Sequence, residues 1–170
     1  MNPAKILDFW MGCFEMNYPS DENDFLSGHV AMMSNSYRKL LGEELLPENP
    51  THEGLAKALF YAPFVVVSHN TAADPVFNYA NLKALELFGF NWEEFTRLPS
   101  RLSAEPMHQL ERDKLLAEVN RKGYLDGYQG IRIAKTGARF LIKNAVVWNL
   151  FDSKGYYAGQ AARFEEWRNL

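Results

Sequence analysis

The hydrophobic pattern changes period along this chain, and each change marks an element. Leu26, Val30, Met33, Tyr37 and Leu40 follow one another at steps of four and three, the spacing of an apolar stripe on a helix. The polar run Pro19-Ser20-Asp21-Glu22-Asn23-Asp24 reads as its turn and N-cap. Ahead of that run Ile6, Phe9, Trp10, Cys13 and Phe14 predict a short amphipathic helix between Pro3 and Tyr18. Pro47-Glu48-Asn49-Pro50 breaks the chain, which divides it into an N-terminal helical extension (residues 1–48) and a core domain (residues 49–170). The core opens with a short helix from Thr51 to Tyr61, stopped by Pro63. Phe64-Val65-Val66-Val67-Ser68 is then a continuous apolar run of strand length, the mark of a strand buried on both faces.

From Val76 to Tyr79 the residues favour extended structure, and at Asn81 the period becomes helical, with Leu82, Leu85 and Phe88 on one face. Asn81 is placed to cap this helix and Gly89 to close it in the left-handed conformation. Asn91 and Glu94 have the spacing of a capping box for a second short helix. After a proline-flanked irregular segment, Leu98 to Pro106, a longer helix is expected from Met107 to Lys122, with Arg121 and Lys122 in its last turn and Gly123 just beyond. The last third alternates as strands. Gln129 to Ala134 leads into the turn Lys135-Thr136-Gly137-Ala138. A long strand from Arg139 to Leu150 should put Phe140, Ile142, Val146, Trp148 and Leu150 on one face, with Asn144 as the polar member of that row. A hairpin at Asp152-Ser153-Lys154-Gly155 returns the chain as a final strand, Tyr156 to Phe164, and Glu165 to Leu170 reads as a frayed end. The expected fold class is α/β (α+β), a five-stranded antiparallel sheet with short helices on one face and a helical extension before it.

Composition narrows the class further. With 170 residues, 47% of them apolar and 23% charged, one folded domain with an appendage is expected. The net charge of −3 gives no broad electrostatic attraction to phosphate backbones, so nucleic acid is not an expected partner. The N-terminal apolar stretch is too short to span a bilayer and is broken by Asp8 and Gly12, so no membrane role is expected and the protein is read as cytoplasmic. Cys13, the single cysteine, can form no internal disulfide and no cysteine cluster for zinc. His29, His52, His69 and His108 are scattered without carboxylates at metal-ligand spacing, and no Gly-x-Ser-x-Gly or Gly-x-Gly-x-x-Gly motif occurs. An enzyme is therefore not expected, and neither catalytic nor metal-binding residues are assigned.

The order of elements resembles the PAS fold. The segments Phe77-Asn78-Tyr79-Ala80-Asn81, Ala73-Asp74-Pro75, Leu98 to Pro106 and Ala145-Val146-Val147-Trp148-Asn149-Leu150 resemble the MEKHLA domain, a PAS-related family, over roughly Phe25 to Trp167. That family occurs as stand-alone proteins and at the C-terminus of plant homeodomain leucine-zipper factors. This chain carries no homeodomain or basic zipper, so DNA binding does not carry over. The resemblance implies a sensory or regulatory module that encloses a small ligand between sheet and helices and signals through its N-terminal helices. The alternative is a ligand-free interaction module, with Leu26, Val30, Met33 and Tyr37 as a homodimer interface or a surface for a protein partner.

Arg101, Asn144 and Trp148 are the candidate ligand contacts: a guanidinium for a carboxylate or phosphate, an amide on an apolar strand face, and an indole for stacking. The competing role for Arg101 is an ion pair with Glu105 or Asp74 that pins its loop. His108 lies at the start of the Met107 helix, the helix from which some PAS sensors ligate haem iron through a histidine. Against the light-oxygen-voltage flavin photosensors, Ser100 precedes Arg101 where those proteins have a reactive cysteine, and their two flavin-reading amides would fall at Arg132 and Ile142. Gln160 is one residue out of register with their glutamine, which reverses its face. A flavin photoreceptor is disfavoured, and no particular cofactor is assigned.

Overall fold

The continuous apolar run near the middle of the chain becomes β1 (Val65–His69), buried because it lies inside a sheet with helices on both sides. The computed structural model describes residues 17–48, 54–106 and 109–170, apart from the side chains at 109, 112, 113 and 116. Among these, β2 (Phe77–Ala80), β3 (Tyr124–Ile133), β4 (Arg139–Phe151) and β5 (Tyr157–Phe164) join β1 in the antiparallel order β2-β1-β5-β4-β3. A sixth strand, β6 (Glu166–Asn169), continues beyond β5 along β4. The expected frayed end is thus a paired strand: Leu141 faces Arg168, Ile142 faces Trp167, and the Leu170 N–H donates to the Arg139 carbonyl at 3.0 Å. Its polar sequence hid it, because pairing along an edge uses backbone groups and requires no apolar alternation.

The helices are α1 (Ser27–Leu41), α2 (Leu55–Phe60), α3 (Leu82–Phe88), α4 (Trp92–Phe95) and α5 (Gln109–Lys122). Local chemistry starts and stops them as the sequence suggests. Asn81 accepts from the Ala84 N–H, Gly89 ends α3 at φ +74°, and Asn91 and Glu94 form a reciprocal capping box at α4. α1 begins differently. A 3-10 turn, Asp21–Leu26, precedes it, and Asp24, Phe25 and Leu26 all take left-handed φ values of 50°, 49° and 58°. Such a run is unfavourable by roughly 1 kcal/mol or more per residue. It persists because it turns Phe25 into the core against Phe60 and Tyr61.

The stripe on α1 has a destination within the same chain. Val30, Met33 and Tyr37 are buried on the sheet, Trp148 Nε1 donates to the Met33 carbonyl at 3.1 Å, and the Tyr37 ring meets Trp148 edge-on at 4.9 Å. These residues cannot serve as the expected homodimer interface, since the protomer's own sheet already covers them. The first sixteen residues, with the predicted Pro3–Tyr18 helix, lie outside the described residues apart from Asn17 and Tyr18.

The opposite face of the sheet is covered by α3, α4 and α5. Two irregularities set which side chains reach it. On β2 the pairing runs Ser68 with Tyr79 and then His69 with Phe77, leaving Asn78 as an extra residue. This bulge sends Phe77 to the α4 side, where it stacks on Phe95 at 4.3 Å, and keeps Asn78 and Tyr79 on the α1 side. On β4 the bulge is Asn144 at φ +50°. Before it, Phe140 faces α3, its ring 5.2 Å from Phe88; after it, Trp148 faces α1. The expected single row is therefore split between two cores. Asn144 interrupts the strand because its side chain tolerates the left-handed region, which β-branched neighbours do not.

Candidate ligand site

Of the four candidate contacts, the three described ones, Arg101, Asn144 and Trp148, do not converge. Arg101 lies exposed on a 3-10 turn, where its Nε meets both carboxylate oxygens of Asp74 at 3.0 and 3.1 Å. That is the loop-pinning ion pair, with Asp74 as partner; Glu105 pairs instead with Arg139. Asn144 is exposed, and its amide donates to Glu166 Oε1 at 3.2 Å. Trp148 is fully buried beneath α1, on the face away from α3 to α5, with its indole N–H satisfied by Met33. His108 lies outside the described residues.

A cleft of about 470 Å³ opens between α5 and β3. Glu111, Lys114, Leu115 and Glu118 line it from the helix, and the stretch from Leu125 to Gln129 lines it from the strand. Leu115 and Leu125 are its apolar lining residues, and Glu111, Lys114, Glu118 and Asp126 its charged ones. Glu118 is held below the usual carboxylate range by hydrogen bonds from Lys122 and then Arg121, so much of its charge is already matched.

One lining residue, Tyr128, belongs to a row of three β3 residues at alternate positions, Tyr128, Gly130 and Arg132. Tyr128, 8% exposed, lies over Gly130, and a Cβ added at Gly130 would fall 2.8 Å from the Tyr128 Cζ. Only glycine admits the ring there. Arg132 closes the row: its Nη2 donates to Tyr128 Oη at 3.3 Å, and its guanidinium carbon is 5.4 Å from the ring centroid. Ile142, paired across from Gly130, is buried beside them. Tyr128 was not among the candidates. The signal for it was the Tyr-x-Gly-x-Arg spacing in an alternating strand, since residues two apart share a face and a glycine between large neighbours leaves bare backbone.

A second polar group lies on the other side of the sheet. His29 of α1 stacks on Tyr79 at 5.7 Å, and its Nε2 is 2.9 Å from Ser68 Oγ. Ser68 donates its single hydroxyl proton to Asn78 Oδ1 at 2.6 Å, so the His29 Nε2 carries a proton and donates to Ser68. Burial, with no carboxylate beside it, pushes His29 down to about 4. The neutral ring pins α1 to β1 and β2. His29 falls on the helical stripe between Leu26 and Met33, the position that would have revealed it as a polar member of a buried face. The Tyr79 hydroxyl beside it is buried without a hydrogen-bond partner, and burial raises its pKa.

A sheet in this order, with α3 to α5 on one face and a helix across the other, is the architecture of PAS domains. Solved structures agree. The PAS domain of a protein from Colwellia psychrerythraea superposes with a TM-score of 0.56 at 16% identity, over 69% of this chain and 95% of that one. A light-oxygen-voltage domain studied with a flavin analogue gives 0.52 at 19% identity, over 69% and 84%. An RNA-binding light-oxygen-voltage receptor gives 0.55 at 19% identity, over 71% of this chain and 33% of that one. The chain belongs to the MEKHLA domain family, whose model matches residues 27–169. Among curated proteins none matches the chain. Among the described residues no helix is long and apolar enough to cross a membrane.

Proposed function

We propose that this protein is a sensory or regulatory module that binds a small molecule in the cleft between α5 and β3 and works by binding, not by catalysis. The observation that carries the reading is the cleft itself: about 470 Å³, of the size that accepts a metabolite, between a helix and the sheet. Its strand wall is coupled to the opposite face. Leu125, which lines the cleft, pairs with Val147, and its neighbour Tyr124 pairs with Trp148, which is bonded to α1 through Met33. A ligand that shifts β3 would move the Trp148 anchor of α1, so occupancy would be reported on the N-terminal side.

The first test is an absorbance spectrum of the purified protein, with native and denaturing mass spectrometry of the same sample. A non-covalent mass lost on denaturation, or a visible band, supports the proposal. A bare protein mass, together with no shift in melting temperature across a metabolite library, refutes it.

A further inference from the structure

Arg132 stands out among the described arginines. Arg38, Arg97, Arg101, Arg121, Arg139 and Arg163 each meet a carboxylate, at Glu44, Glu93, Asp74, Glu118, Glu105 and Glu165, and Arg168, with no carboxylate partner among the described residues, is exposed to water. Arg132 is half-buried and meets none; its partners are the Tyr128 phenol oxygen and the Ile131 carbonyl, at 3.3 and 3.2 Å. A guanidinium withdrawn from water with only neutral acceptors has unmet capacity for an anion, ideally a planar one it can grip with two N–H groups. Tyr128 separates it from the cleft. Tyr128 borders the cleft and also touches Arg132, its phenol end filling the space that a side chain at Gly130 would take.

We propose that the Tyr128 ring is an internal occupant of a site for a planar aromatic carboxylate, which displaces the phenol, stacks on Gly130 and pairs its carboxylate with Arg132. The inference rests on the cleft being a ligand site and adds the class of ligand. Three features fit together. The absence of a side chain at Gly130 leaves room for an aromatic group, as the phenol already shows. Ile142 supplies apolar contact beside it. The phenol oxygen also occupies the position at which a ligand oxygen would meet Arg132, so leaving Tyr128 in place satisfies the cation only partly, by a neutral acceptor.

The test uses the full chain with 4-hydroxybenzoate as the probe, 4-methylphenol as the neutral control and tyramine as the cationic one. Binding is followed by amide chemical-shift titration. Tyr128→Ala should bind 4-hydroxybenzoate about tenfold or more tighter than the wild type does, and the gain should vanish in Tyr128→Ala/Arg132→Gln. Both controls should bind Tyr128→Ala about tenfold or more weakly than the carboxylate. Equal affinity for probe and 4-methylphenol, or an affinity unchanged by Arg132→Gln, overturns the inference and leaves Tyr128 as no more than the cover of an edge-strand glycine. Should Tyr128→Ala not fold, the wild type is titrated with the probe and nuclear Overhauser contacts between its ring protons and the Gly130 α-protons are sought. Those contacts are expected, and binding without them, or no binding, overturns the inference. A neutral or cationic ligand recovered from the wild type would also overturn it while leaving the cleft reading intact.

Discussion

Asn81 is fully buried and uses its whole side-chain capacity on the backbone of four other residues. Its Oδ1 accepts from the N–H groups of Val66 and Ala84, both at 3.1 Å, and its Nδ2 donates to the carbonyls of Leu59 and Phe64 at 3.2 and 2.7 Å. One amide therefore caps α3, holds the start of β1 and ties down the end of α2. In Asn81→Ala the cap contributes a loss of about 1 kcal/mol. The Val66 N–H and the Phe64 carbonyl lose their Asn81 partner inside the core, at about 1–3 kcal/mol each, whereas the Leu59 carbonyl keeps the Ala62 N–H at 3.2 Å. The expected loss is at least about 3 kcal/mol, a large part of the 5–15 kcal/mol typical of a domain. Asn91→Ala is the matched control, because its capping box is exposed and should cost only about 1 kcal/mol. Asn81→Asp should do no better than Ala: it keeps the two accepted bonds but turns a second oxygen toward two carbonyls. Urea denaturation followed by circular dichroism reads all three, with the slope checked for constancy. If Asn81→Ala and Asn91→Ala differ by less than about 1 kcal/mol, the four-bond hub is refuted as an energetic unit.

Other outcomes follow from the same geometry. His29 binds its proton with a pKa of about 4 when folded against an ordinary 6.5, so between these values the unfolded chain holds more protons and stability falls as pH is lowered; above 6.5 the effect is absent. The loss should approach about 2–3 kcal/mol by pH 4, and His29→Gln should flatten that part of a pH series of urea midpoints. Asn144→Gly should raise stability by a few tenths of a kcal/mol, and Asn144→Val should lower it by about 1–2 kcal/mol, because φ is +50° there. Arg101→Ala removes a solvent-exposed ion pair and should shift the urea midpoint by less than about 1 kcal/mol equivalent. A larger loss would show that Asp74 and Arg101 do more than pin their loop.

What could be read from the sequence was mostly local. The caps at Asn81 and Asn91, the closing Gly89 and the order of elements along the chain rest on interactions within a few residues or on simple alternation. The same holds for the apolar stripe of α1, but its destination was not legible: a stripe of Val30, Met33 and Tyr37 fits a partner copy as well as the chain's own sheet, and only the three-dimensional placement of Trp148 decides. Asn144 and Trp148 are separated for a related reason. Asn144 was assigned to the face of Trp148 by strict alternation, and a single left-handed residue breaks that count without altering composition. Arg132 and Tyr128 were passed over because each is ordinary alone; their relation depends on Gly130 between them.

The bend at Asn144 also bears on how this family can vary in length. Lys143 pairs with Glu166 on one side of it and Val146 with Arg163 on the other, so β5 and β6 keep one frame along β4 although the two halves of β4 serve opposite cores. An insertion in the turns at 134–138 or 152–156 would leave both cores seated. A single residue added or removed between Phe140 and Leu150 would swap the side chains delivered to each, and no slip of the partner strands could absorb it. Relatives should therefore show length changes at the two hairpin tips and a fixed spacing from Phe140 to Trp148.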